Sequence, residues 1–123
     1  MSAHRSHIHY PSRVFMSLIF LIFGSGKLAT ITPTQAYMEA YGVPGILIYP
    51  AAAFELVSAT LLLIDRQIFH VGWLLAGWCV LTGVIFHRDW VGDGAQTQLM
   101  MFLKNLVMAG GFLVLAERGR WRV

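Results

Sequence analysis

Four ionisable side chains stand in a chain that leaves little room for them: Lys27, Glu55, His87 and Lys104, with Asn105 beside the last. A carboxylate and two ammonium groups can hold one another by charge, and an imidazole exchanges protons near physiological pH. Grouped in a pocket, they could hydrogen-bond the carbonyl oxygen of a small amphipathic ligand, with Glu55 holding a lysine in place or relaying a proton. Other chemistries lack their residues. No phosphate loop, nucleophile triad or dinucleotide fingerprint is present. The single cysteine, Cys79, argues against an intrachain disulfide and against a Cys-ligated zinc or iron-sulfur centre. His4, His7 and His9 read as a polar tail, and Met100, Met101 and Met108 as packing, so no metal site is expected.

The elements that must position these residues are set by composition. The 123-residue chain is 57% hydrophobic and 12% charged, with a mean hydropathy of +0.64. A soluble domain carries about 25% charged residues, so lipid is the expected solvent. Apolar runs at Val14 to Ala29, Ile46 to Ile64, Ile68 to Phe86 and Leu99 to Ala116 are read as four spanning helices. The first is read as a retained span rather than a cleaved leader. The expected fold is therefore all-α, an integral membrane four-helix bundle over residues 14–116, with a polar His-rich tail (1–13) and a basic tail (117–123). Alternating the spans puts Arg5, Arg13, Arg66, Arg118, Arg120 and Arg122 on one side, which places both termini in the cytoplasm by the positive-inside bias. The net charge of +3 is thus a topology signal rather than a nucleic-acid footprint.

The outer loops carry further signals. Thr32-Pro33-Thr34-Gln35 reads as a helix start with Thr32 as N-cap and Pro33 at the first helical position, and Gly42 as the stop. Tyr37, Met38 and Tyr41 then share one side of a short interfacial helix in the first outer loop. The second outer loop, His87 to Gln98, holds Trp90 at interface depth and an Asp93-Gly94 turn.

Small and polar residues recur together at helical spacing. Gly72, Ala76, Cys79, Gly83 and His87 form one stripe on the third span; Ala51, Ala52, Glu55, Ser58 and Ala59 form one on the second. Arg13, Ser17, Phe20, Gly24 and Lys27 do so on the first, and Thr97, Met101, Lys104, Met108 and Gly111 on the fourth. From the rise per residue, Glu55 lies roughly 13 Å inside the outer end of its span and Lys104 about 7 Å. An unpaired charge at the bilayer centre costs at least about 2.5–3.5 kcal/mol, so Glu55 is expected to pair with Lys27 or Lys104, or to be protonated.

At these positions the chain resembles the DoxX family of small four-helix membrane proteins. The resemblance runs from about Arg13 to Ala116. It rests on Phe23-Gly24-Ser25-Gly26-Lys27-Leu28, Gly42-Val43-Pro44, Glu55 before a leucine-rich run, His87, Lys104-Asn105-Leu106 and Gly110-Gly111-Phe112-Leu113. It implies a cell (inner) membrane protein of a group linked to membrane redox chemistry, including quinone-reducing subunits of thiosulfate oxidation.

Three readings follow. In the first, a subunit associated with a redox complex binds a quinone or similar amphipath through Lys27, Glu55, His87, Lys104 and Asn105; no cofactor is held tightly, and other membrane subunits carry the redox centres. In the second, the polar residues staple helices together, and the chain is a noncatalytic accessory subunit packing against a larger membrane assembly. A small-solute carrier is the third expectation, weakened by four short spans without an inverted repeat.

Overall fold

The computed structural model describes residues 9–120, without the side chains of His9 and Arg120; His4 and His7 lie outside it. The described chain is all helical. Helix α1 (His9–Ala29) leads to α2 (Ile31–Ala40), a 3-10 turn (Gly45–Leu47), α3 (Ile48–Leu63), α4 (Ile68–Phe86) and α5 (Ala95–Arg120). Four segments are long and apolar enough to cross a membrane: Tyr10–Ala29, Gly45–Leu63, Ile68–Phe86 and Ala95–Gly119. The chain divides into two compact units, Met1–Gln67 and Ile68–Val123.

In the first unit α1 packs on α3. Arg13, Ser17, Phe20, Gly24 and Lys27 form the facing stripe, opposite Ile48, Ala52, Glu55, Ala59 and Leu62. Gly24 sets the spacing: a Cβ there would lie 2.9 Å from Cγ of Leu56, so the two backbones approach only because none exists.

Helix α1 begins five residues before the expected Val14, which takes residues 9–13 out of the polar tail. Pro11 is tolerated there because an N–H in the first turn has no intrahelical acceptor to lose. Arg13 is only 7% exposed, and its Nη1 donates to the carbonyl oxygens of Leu62 and Leu63 at 2.9 and 3.0 Å. A cation thus closes the C-terminus of α3, where carbonyls lack intrahelical donors.

Helix α2 also starts earlier than its sequence signals, at Ile31, with Thr30 rather than Thr32 in the cap position. The Thr30 hydroxyl is directed back to the Gly26 carbonyl at 2.8 Å, Pro33 falls third in the helix, and the Gln35 amide donates to the Gly45 carbonyl at 3.1 Å instead of closing a capping box. The stop is where it was expected. Gly42, at φ +82°, donates to Glu39 O, and Val43 donates to Met38 O, a Schellman closure. Tyr37 and Tyr41 stack with centroids 5.1 Å apart on the half-exposed side, whereas Met38 turns inward and is buried.

In the second unit α4 and α5 run antiparallel. Three positions fix this: a Cβ on Gly72 would meet Ala116, one on Gly83 would meet Asn105, and one on Gly119 would meet Ile68. The buried face of α4 is the expected stripe, Gly72, Ala76, Cys79 and Gly83, with Val71 and Leu75 beside it. On α5 the face packed on α4 is Asn105, Ala109, Phe112 and Ala116, one residue round the helix from the expected stripe; Met101, Lys104, Met108 and Gly111 stay half-buried here, and Thr97 is exposed. Helix α5 outruns its apolar core at both ends. Gly94 at φ +81° turns the chain at Asp93-Gly94, Ala95 opens the helix, and its end passes Glu117, so the basic tail begins as helix.

Candidate functional site

The first unit joins Lys27, in the last turn of α1, to Glu55, in the second turn of α3. Lys27 Nζ donates to Glu55 Oε1 at 2.8 Å. The close approach at Gly24, one turn before the lysine, brings the ammonium within reach. The Glu55 side chain is 6% exposed and that of Lys27 24%, so the carboxylate forms the floor and the lysine the open side. An ammonium has three hydrogens. Glu55 takes one, leaving donors on the accessible side.

The two ends of α3 are closed by different residues. At its start, α2 lays Gln35 and Glu39 over Gly45, where a Cβ would come 2.7 Å from Glu39 Oε2; a carboxylate beside a helix N-terminus is favoured by the backbone dipoles. At its end lies Arg13, with its Nε 4.0 Å from Oδ1 of Asp65.

The second unit carries its own polar group. His87 follows the last residue of α4, and its Nδ1 lies 3.4 Å from Gln98 Oε1, which as a carbonyl oxygen must accept. The Trp90 indole donates to the His87 carbonyl at 3.0 Å and packs edge-on against Phe102, centroids 5.0 Å apart. Burial pushes the His87 imidazole below its ordinary 6.5; the Gln98 hydrogen bond opposes this, and the Lys104 charge adds to it. Further along, Asn105 Nδ2 donates to Cys79 O at 2.9 Å and to Thr82 Oγ1 at 3.2 Å. Both amide hydrogens are therefore engaged in holding α5 to α4.

Of the sequence-derived ligand set, Lys27 and Glu55 are joined in the first unit, while His87, Lys104 and Asn105 belong to the second. The sequence places Gln98 in a loop, where nothing marks it as the partner of His87; the start of α5 at Ala95 is what presents it. In the sequence Arg13 reads as a topology marker, and only its place at the head of the α1 stripe points to its buried role. Among the described residues, no group of three or more His, Cys, Asp or Glu side chains is placed to hold a metal ion.

Comparison with known proteins agrees with this architecture. The DoxX family model matches residues 10–88. The chain is 34% identical over 108 residues to the inner membrane protein YqjF of Escherichia coli K12, covering 88% of this chain and 81% of YqjF. It is 31% identical over 112 residues to the inner membrane protein YphA of the same organism, covering 88% and 80%. No solved structure gives a significant match. With four helices able to cross a bilayer and inner-membrane relatives along most of its length, this is a multi-pass inner-membrane protein, and it belongs to the DoxX family.

Proposed function

We propose that this chain is a membrane subunit associated with a redox complex and that it binds a quinone or a similar amphipathic ligand. The observation carrying this reading is the Lys27–Glu55 pair, a buried carboxylate beneath a lysine with hydrogens to spare. A ligand carbonyl oxygen would accept from Lys27 Nζ, and Glu55 would hold the ammonium in place. In the second unit the reading assigns the same ligand class to His87 and Lys104. Asn105 would enter only through Oδ1, its amide hydrogens being engaged. The ligand would be a diffusible carrier, with tightly bound redox centres on other subunits.

Titration of the purified protein with a short-chain quinone, read by quenching of its tryptophan fluorescence, tests this. Lys27→Met is expected to weaken binding about tenfold or more, the loss of one charge-assisted hydrogen bond of roughly 1.5–3 kcal/mol. Unchanged affinity in both Lys27→Met and Glu55→Gln overturns the reading.

A second reading, a noncatalytic accessory subunit, is favoured by Gly26 and Gly110, where a Cβ would meet nothing within 4 Å. Small residues with open space above them suit the close approach of a partner helix. A stoichiometric larger complex recovered in mild detergent, lost in Gly110→Leu, would support it; a monodisperse lone chain would not.

A further inference from the structure

The α4–α5 pair carries an open apolar groove of about 520 Å³. That volume lies within the roughly 300–1,000 Å³ of small-molecule sites. Ala76 and Ala109 are buried and form its floor, beside Gly77, above which a Cβ would meet nothing within 4 Å. Trp73, Leu81 and Leu113 stand up as its walls, all exposed.

Both lines of residues continue into a polar end. On α4 the line Trp73, Gly77, Val80, Val84 reaches His87 at gaps of four, three, four and three. On α5 the line from Leu113 and Ala109 continues by helical spacing through Leu106 and Phe102 to Gln98. The groove therefore heads toward the His87–Gln98 contact and the Trp90–Phe102 ring pair. Lys104 lies on the opposite side of α5 from Leu113, nine residues and 900° away by helical rotation, so this face is not the one that bears the lysine.

Length identifies the occupant. Trp73 to Val84 spans 11 residues, about 16 Å of helix, and half of a hydrocarbon core about 30 Å thick is roughly 15 Å. The apolar part thus matches the depth of one leaflet and ends where headgroups begin, at a tryptophan of the kind that marks that boundary. A partner helix crossing the membrane would call for a groove twice as long.

The polar end has a definite hydrogen-bonding sense. Gln98 Oε1 can only accept, which makes His87 Nδ1 the donor and leaves Nε2 of the neutral ring as an acceptor. The head that meets it must give a hydrogen. Exposed Arg88 supplies a cation for a phosphate in the following residue, and exposed Asp89 and Asp93 supply anions for an amine.

We propose that the α4–α5 groove seats one acyl chain of a phosphatidylethanolamine from the leaflet on the His87 side, with its amine-bearing head hydrogen-bonded at His87. The proposal shares His87 with the quinone reading but uses neither Lys27 nor Glu55, so the Lys27→Met and Glu55→Gln titrations that decide that reading leave this groove untouched.

Native mass spectrometry of the full-length protein in detergent tests it, with phosphatidylethanolamine and phosphatidylcholine of identical chains as probes. The two share charge and tails, but phosphatidylcholine has no N–H to donate. One phosphatidylethanolamine per chain is expected, preferred about tenfold or more over phosphatidylcholine, the worth of one charge-assisted hydrogen bond from its ammonium. Gly77→Leu, which fills open space, should abolish retention of both lipids, and Val84→Trp provides a second filled groove if the first variant misfolds. His87→Phe should erase the preference while leaving chain binding. Equal retention in wild type and both filled variants, or no preference between the lipids, overturns the proposal. So does a dimer that Gly77→Leu dissociates, which would give the groove to a second copy. A quinone lost only in the filled variants would also overturn it.

Discussion

Lys27 Nζ lies 2.8 Å from Glu55 Oε1, and the two residues are 28 apart in sequence on α1 and α3. The carboxylate is the more deeply buried partner, so the pair is asymmetric toward mutation. Lys27→Met leaves a buried anion without the lysine and should destabilise by up to about 3–5 kcal/mol. Adding Glu55→Leu should recover most of that loss, because an apolar pair of similar volume needs no desolvation of charge. Thermal unfolding in detergent of the two single variants and the double variant measures this; a double variant less stable than Lys27→Met contradicts it.

Glycine positions should divide into two classes. A Cβ on Gly72 would lie 2.7 Å from Ala116 Cβ and 2.8 Å from the Phe112 carbonyl oxygen, so the backbone itself blocks relief. Gly72→Ala should cost about 1–3 kcal/mol by overpacking. Gly110 faces open space, and Gly110→Ala should stay within about 0.5 kcal/mol. Equal melting temperatures for the two variants would show that α4 and α5 are not in the close contact described.

Acidification should weaken the second unit through His87. Its folded pKa lies below 6.5, so the unfolded chain takes up the proton first as pH falls. The stability tied to the neutral ring is therefore present above 6.5 and is lost progressively below it, until the folded form also protonates. His87→Gln removes the titration. Melting temperatures of wild type minus variant, followed from pH 8 to pH 5, should fall on the acid side; a flat difference rules out this role.

Arg13 should matter as a helix closure rather than as a surface charge. Arg13→Met removes two hydrogen bonds to α3 carbonyls and should cost about 1.5–3 kcal/mol. Arg13→Lys should recover only part of it, because a single ammonium does not reproduce the planar fork. Hydrogen exchange at the amides of residues 60–64 is the readout. Faster exchange confined to that turn is expected, and unchanged exchange would remove Arg13 from the α3 terminus.

The spans were legible because apolar runs of near-bilayer length have few other uses in so short a chain. Their ends were not. The turns at His9 to Arg13, Ala95 to Gln98 and Glu117 to Arg120 are helical without being apolar, so hydropathy stops before the helix does. The Lys27–Glu55 contact was legible as one of three alternatives, beside pairing with Lys104 or protonation, since lipid penalises a lone carboxylate whichever lysine serves it. On α5, two neighbouring stripes both hold small and polar residues. Spacing points to Met101-Lys104-Met108, whereas the face packed on α4 is Asn105-Ala109-Phe112, which the approach of Gly83 to Asn105 brings there. Gln98 had no signal of its own: eleven residues from His87, it becomes a partner only once the 87–94 turn reverses the chain.

The placement of Lys27 and Glu55 within the first 67 residues bears on biogenesis. A nascent chain meets its counter-charge before α4 and α5 have been translated, so the leading hairpin can partition from the translocon as a neutralised pair. Arrested ribosome complexes should then show residue 55 already protected from the aqueous channel. Moving the lysine to a later helix would hold the carboxylate back until synthesis ends.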